Sequence, residues 1–202
     1  LVKGCLKLDN NSVYGEYGMH RNTLLNLLDD YKPLYDEEYI YKKQIYDFVS
    51  NHPDCFQRSC KIGHITASSF LLNYDLSKAL LMHHKKLGIW LQLGGHCDGS
   101  SDVASVALKE AKEESGINEI ELISNEIFDV DMHLVPACGG DHAHYHYDIR
   151  FISKVTSSNA SVNMNDESLD LRWFSFETNN LPTQQRSVVR LFEKFTSMMV
   201  QS

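Results

Sequence analysis

Glu110, Glu113 and Glu114 place three carboxylates on little more than one helical turn, just after a loop punctuated by Gly94, Gly95 and Gly99. Like charges three and four residues apart on an exposed helix repel by a few tenths of a kcal/mol per pair. A hard divalent cation relieves that repulsion. Mg²⁺ or Mn²⁺ takes oxygen ligands, keeps several waters and bridges to substrate phosphates. Carboxylates from the helix, with backbone carbonyls that the glycines let approach, form such a ligand set. The competing reading is a solvated helix face balanced by Lys109 and Lys112.

A second constellation is the stretch GGDHAHYHYDIRF, residues 139–151. A strand starting at His144 puts His144, His146 and Asp148 on one face, and Tyr145, Tyr147 and Ile149 on the other. That polar face suits a second metal site or a set of phosphate donors, with His142 and with His96 from the glycine loop. It equally suits polar side chains on a half-buried strand, since His-x-His spacing alone is a weak metal signal. Arg150 and Arg172 suit contacts to phosphate or, equally, pairs with surface carboxylates. Trp90 and Trp173 offer flat surfaces for a base, yet both stand in apolar strand contexts that predict core packing.

These residues need elements to hold them. The acidic stretch reads as a helix from about 102 to 115. Ala104, Ala107, Leu108 and Ala111 form its packing stripe, the three glutamates an outward arc of roughly 100°, and Gly116 a left-handed cap. Strands are expected over 64–74, 78–84, 89–93, 119–123, 126–133, 144–155 and 169–176. The tail, 183–200, places Val188, Phe192, Phe195 and Met199 on one helical stripe. Before Pro53 the chain reads as helical. A short helix, RNTLLNLLDDY, precedes a longer one between Tyr31 and Ser50, in which Tyr41, Ile45, Phe48 and Val49 line one face and Asp36, Glu37 and Glu38 sit at the positive N-terminal end. A boundary near residues 53–58 divides an N-terminal helical extension, 1–57, from a domain over 58–202.

At 202 residues, with 43% hydrophobic and 23% charged, the chain is sized for one packed domain plus an appendage. A net charge of −8 argues against a long nucleic-acid partner. The five cysteines, Cys5, Cys55, Cys60, Cys97 and Cys138, have neither zinc spacing nor a disulfide pattern, which fits a reducing, cytoplasmic compartment. No apolar run suits a membrane span or a signal peptide. Mixed strands and helices indicate an α/β or α+β sandwich.

From Gly95 to Ile117 the chain resembles the Nudix box, G-x5-E-x7-R-E-U-x-E-E-x-G-U, where U is bulky and aliphatic. Gly95 matches its first glycine, Glu110 the glutamate after the arginine, Glu113 and Glu114 the E-E pair, Gly116 the second glycine and Ile117 the last aliphatic position. Ser101 stands where the pattern has Glu, Lys109 where it has Arg, and Ala111 at a position for a larger aliphatic. Lys109 still neutralises a neighbouring glutamate but lacks the planar fork of Arg; Asp102 is a neighbour that substitutes for the missing carboxylate if the loop shifts. The resemblance covers roughly residues 64–177.

It implies an α/β/α sandwich around a mixed sheet; the N-terminal helices lie outside the resemblance and suit a lid, a dimer arm or packing. It also implies a hydrolase of phosphoric anhydride bonds, cleaving a nucleoside diphosphate linked to another group by water attack on phosphorus. Glu110, Glu113 and Glu114 are then the catalytic and metal-holding carboxylates for Mg²⁺ or Mn²⁺, with Gly95 as a backbone ligand. His96, His144, His146 and Arg150 are candidates for substrate contact. The implied partner is a small nucleotide derivative, with a homodimer possible. Ser101 and Lys109 leave room for a module that binds a nucleotide or partner without hydrolysis. Cys97 raises a third reading, an isomerase of an allylic diphosphate, since isopentenyl diphosphate isomerases share the fold and use cysteine.

Overall fold

The computed structural model describes residues 11–137 and 142–201. Cys5, Cys138 and the opening residues 139–141 of the His-rich segment lie outside the described residues. Two helices lead, α1 (Asn11–Asp30) and α2 (Asp36–Asn51). The first begins well before the stretch that periodicity marks out. The second starts at Asp36 rather than at Tyr31, because Pro33 holds the residue before it out of the helical region. Glu38 then caps α2, its carboxylate accepting from the backbone N–H of Leu34 at 2.5 Å and of Tyr35 at 3.0 Å. Ile45, Phe48 and Val49 are buried, as their spacing predicts.

An eight-stranded mixed sheet follows: β1 (Gly63–Leu72), β2 (Lys78–His84), β3 (Ile89–Leu91), β4 (Leu93–His96), β5 (Ile120–Leu122), β6 (Asp129–Val135), β7 (His144–Val155) and β8 (Ser168–Ser175). Helix α3 (Val103–Ser115) joins β4 to β5, and α4 (Arg186–Gln201) closes the chain. Strand β1, buried along its whole length, is the spine. It runs parallel to β7 and antiparallel to β2 and β4, while β7 also pairs with β5 and β6. The strand expected over 89–93 breaks at Gln92, because its two halves serve different neighbours: β3 pairs with β2 and β4 with β1.

One face of the β1–β7 ladder is apolar where the helices cover it. Leu24, Leu28, Ile45 and Phe48 of α1 and α2, with Val103 and Ala107 of α3, share a core with Ile65, Ala67, Ile149 and Phe151. The helices before Pro53 thus pack into the same core as the sheet. By strand alternation the opposite face carries Phe70, Leu72 and Ile152, which receive Val188, Leu191, Phe192 and Phe195 of α4. Met199, expected on that stripe, is 54% exposed, because α4 outruns the sheet there.

The same face changes character towards the start of β1. It becomes a buried polar surface of His64, Thr66 and Ser68, with Asp148 and Arg150 on β7 and Asp129 and Asp131 on β6. Arg190 of α4 donates to both oxygens of Asp129, at 2.8 and 2.9 Å. Lys194 pairs with Glu38 and donates to the Tyr31 hydroxyl at 2.7 Å, which ties α4 to α2. Among the described residues no helix is long and apolar enough to cross a membrane.

Candidate active site

The acidic helix is positioned at both ends by its sequence. Asp102 is its N-cap, accepting from the Ser105 backbone N–H at 3.1 Å and from the Ser105 hydroxyl at 2.7 Å. Both of its oxygens are therefore engaged by Ser105 in this cap. Gly116 ends the helix with φ 68° and ψ 11°, its N–H donating to the Lys112 carbonyl at 2.9 Å, the left-handed cap the sequence predicts. The loop before α3 is held from outside: Gly99 N–H donates to the Phe56 carbonyl at 2.9 Å, and Arg58 forks onto Asp98.

The three glutamates do not share one outward face. Val106, Ala107 and Ala111 are buried, and the helix is turned so that Glu114 goes in with them at 4% exposure. Its carboxylate accepts from the Gly94 backbone N–H at 2.7 Å. Glu110 is half-buried and reaches the next residue of the same strand: a methyl group at Gly95 would stand 2.6 Å from Glu110 Oε2. Glu113 stays at the rim, 57% exposed on its side chain. The cause of the split is that β4 has no side chains at Gly94 and Gly95, so carboxylates fill the space against its backbone. Lys109 reaches Glu110 at 3.2 Å and Glu113 at 3.1 Å, the neutralising role expected of it.

Burial pushes the Glu114 carboxyl up to about 8, and the charges of Glu110, Glu167 and Glu113 add to that, against the one hydrogen bond from Gly94. A buried carboxylate with a single donor, flanked by two further carboxylates and an open backbone, fits a hard divalent cation. The donors are all oxygen, which favours Mg²⁺ or Mn²⁺ over softer ions.

Beneath β4, Asp148 accepts from the hydroxyls of Thr66 at 3.0 Å and Ser68 at 2.8 Å, and from Gln92 Nε2 at 3.3 Å. Gly94 lies directly on Ser68, since a methyl there would meet Ser68 Oγ at 2.3 Å. Arg150 is 2% exposed and donates to Asp148 at 2.7 Å, Asp129 at 3.3 Å and the Ser187 carbonyl at 2.8 Å, with Asp131 3.2 Å away. It is committed to this ion network and presents no free edge to a ligand.

His96, His144 and His146 come together as a cluster, joined by His64 of β1 and His133 of β6. Register explains the meeting: His64 pairs with His146 across β1 and β7, and His146 with His133 across β7 and β6. Burial lowers His64 to about 4 and His146 to about 2, with neighbouring imidazoles adding to each shift; His96 falls to about 4 by burial and by the charge of Arg58. These three rings are neutral near pH 7. His64 carried no local signal, because its partners lie some eighty positions along the chain.

Cys97 is 4% exposed in the apolar core under the helices, and burial pushes its thiol far up, so it is no thiolate nucleophile. Trp90 stacks on His83 with ring centroids 5.0 Å apart, and Trp173 packs against the cluster around Leu71 and Leu80.

A clean test separates the site from the fold. Gly95 has no positive φ, and the atom its new methyl would meet is the tip of a flexible side chain. Gly95→Ala is therefore expected to displace the Glu110 carboxylate and lower turnover by at least about tenfold, some 1.4 kcal/mol. The melting temperature should stay within about 3 °C of wild type. Unchanged turnover would remove Glu110 from the site.

Comparison with known proteins agrees with this architecture. The model of the NUDIX domain matches residues 63–193. No curated protein matches the chain. Among solved structures, an Ap4A hydrolase binary complex from C. elegans superposes with a TM-score of 0.55 at 16% identity, covering 68% of this chain and 98% of that one. A MutT protein from Methanosarcina mazei Go1 gives 0.54 at 18%, covering 69% and 97%. At these identities the two show the shared fold. The domain match spans well over half of the chain and runs through β1, the glycine loop, the acidic helix and the first half of α4, so the chain belongs to the Nudix family of hydrolases acting on pyrophosphate bonds.

Proposed function

We propose that this Nudix hydrolase cleaves a small nucleoside diphosphate derivative, a nucleoside diphosphate joined to another group, in a reaction that depends on Mg²⁺ or Mn²⁺. The observation that carries the reading is the convergence of Glu110 and Glu114 on the Gly94–Gly95 backbone. Glu110 and Glu114 hold the cation, with the Gly95 carbonyl as a backbone ligand and Glu113 supplying a further carboxylate from the rim. When bound, such ions neutralise the diphosphate oxygens and lower the pKa of a water that attacks phosphorus.

The rest of the chain positions these groups. The Gly94 N–H fixes one Glu114 oxygen and leaves the other free for the ion. Lys109 damps the repulsion between Glu110 and Glu113 without entering the buried side of the site. Asp148, held by Thr66, Ser68 and Arg150, makes a stiff floor under β4, so the backbone ligand cannot drift. Arg58, just outside the core helices, pins the loop through Asp98. The helices before residue 58 are an extension that shares the Nudix core, and their contribution is packing of the sheet's apolar face. A reducing, cytoplasmic setting fits Cys55, Cys60 and Cys97, which are free and buried.

The test is hydrolysis of a panel of nucleoside diphosphate derivatives, with ADP-ribose, CDP-alcohols, dinucleoside polyphosphates and damaged nucleoside triphosphates among them. Turnover that requires the divalent ion supports the reading and names the substrate. Turnover undiminished by chelation would overturn it.

A further inference from the structure

We propose a second metal site, separate from the carboxylate site, in which His64, His144 and His146 bind one divalent transition-metal ion of the Zn²⁺ class. One ligand atom from each ring lies within 4.8 Å of the others. The rings enclose a common point: centroids are 4.8 Å apart for His64 and His146, 5.0 Å for His64 and His144, and 5.3 Å for His144 and His146.

Hydrogen bonding distinguishes this cluster from histidines that merely pack. His64 is 3% exposed, and neither of its ring nitrogens has a partner; the buried Nε2 of His146 has none either. Buried polar atoms are almost always satisfied, and a bound ion is one way that an orphaned group finds its partner. A proton is a poor occupant. It would place a charge among imidazoles already pressed together and buried, next to His96 and His133. A cation that accepts nitrogen lone pairs takes one nitrogen from each ring and so satisfies one orphaned nitrogen of His64 together with that of His146.

His144 supplies the orientation. Its Nδ1 lies 2.8 Å from the His142 carbonyl, so Nδ1 carries the hydrogen and the Nε2 lone pair is left for the metal. An outer carbonyl that fixes the tautomer in this way is the usual partner of a ligating histidine. Three neutral imidazoles select Zn²⁺, Co²⁺ or Ni²⁺ rather than Mg²⁺, which keeps the two sites chemically distinct. Zn–N bonds of about 2.0–2.1 Å in tetrahedral geometry require nitrogens about 3.3 Å apart, so binding draws the rings together by small side-chain rotations. Three protein ligands leave the fourth position open to water or to an anionic oxygen. His96 is the residue after Gly95, so the ion would sit at the end of the strand that carries the carboxylate site.

Co²⁺ serves as the probe, because its visible absorption reports four-coordinate nitrogen ligation. The full chain, stripped of metal, is titrated with Co²⁺ and then with competing Zn²⁺, alongside His144→Ala and Glu114→Gln. His144 is half-exposed, so its loss spares the core, and circular dichroism checks the fold. The expected result is one equivalent of Co²⁺ with intense visible bands, displaced by Zn²⁺. Affinity should fall at least about 100-fold in His144→Ala and be unchanged in Glu114→Gln. Absence of the bands in wild type, bands that survive His144→Ala, or bands lost in Glu114→Gln would each overturn the proposal.

Discussion

Glu114→Gln is expected to lower turnover by about 10²–10³, a loss of roughly 3–4 kcal/mol of transition-state stabilisation, while leaving the metal-free protein at least as stable as wild type. The two effects have one cause. Burial, with the charges of Glu110, Glu167 and Glu113 added, holds the Glu114 pKa up at about 8 against its single hydrogen bond, so its anionic form is unfavourable until a cation arrives. Glutamine keeps the shape and still accepts from the Gly94 N–H, but cannot offer an anionic oxygen. Glu113→Gln, at the exposed rim and paired with Lys109, should cost less. Steady-state rates at saturating Mg²⁺ and a thermal melt without metal check both halves. A variant that keeps wild-type turnover, or that melts well below wild type without metal, would show that Glu114 is a structural carboxylate.

Arg190→Met is expected to destabilise the fold by about 3–5 kcal/mol, the usual cost of removing one partner from a buried ion network. Among the described residues, Glu38, Asp129, Asp131 and Asp148 face Arg150, Arg190 and Lys194 as buried cations. Removing Arg190, 1% exposed, leaves Asp129 with much weaker compensation. The melting temperature should drop by roughly 10 °C. The same network predicts acid sensitivity. Burial works against ionisation of Glu38, but its bonds to Asp129, Lys194 and the Tyr35 backbone bring it down from 4.5 to about 2. Asp131 is likewise held below the ordinary carboxylate range: burial works against ionisation, but the charges of Arg150 and Arg190 and the bond to His133 together outweigh it. A depressed carboxylate stabilises the fold fully above its unfolded pKa. Stability should therefore be lost as pH falls from about 4.5 towards 2, with Glu38→Gln removing part of that slope. A flat profile, or Arg190→Met melting within about 2 °C of wild type, would mean the network contributes little.

How much of this was legible in the sequence varied with the range of the interactions. Local signals read well. An apolar run between turns placed β2 and a run rich in aromatic and β-branched residues placed β7, Gly116 announced its left-handed cap, and the glycine loop with its acidic helix carried the family resemblance. The face shared by His144, His146 and Asp148 followed from the two-residue period. Long-range pairing did not read. The ion network depends on β1 lying parallel to β7, with Thr66 and Asp148 separated by 82 positions, and on α4 returning over the sheet. Nothing near Arg190 or Glu38 foretells burial, and the alternating pattern of DVD in β6 looks like surface. For the same reason Arg150 suggested a phosphate contact, whereas folded it is enclosed by carboxylates. The outward arc of glutamates was misread because helical periodicity gives relative angles only. Which way the helix is turned depends on the side-chain-free backbone of Gly94 and Gly95 opposite it.

The proposed hard-cation site of Glu110, Glu114 and the Gly95 backbone would drive pyrophosphate-bond hydrolysis. Its most direct test is product formation from the nucleoside diphosphate panel as Mg²⁺ is titrated into metal-stripped protein, with Glu114→Gln in parallel. Turnover is expected to rise with Mg²⁺ and to be abolished by chelation, with the variant reduced by about 10²–10³ at every concentration. Turnover that is independent of Mg²⁺, or equal in the two proteins, would contradict it.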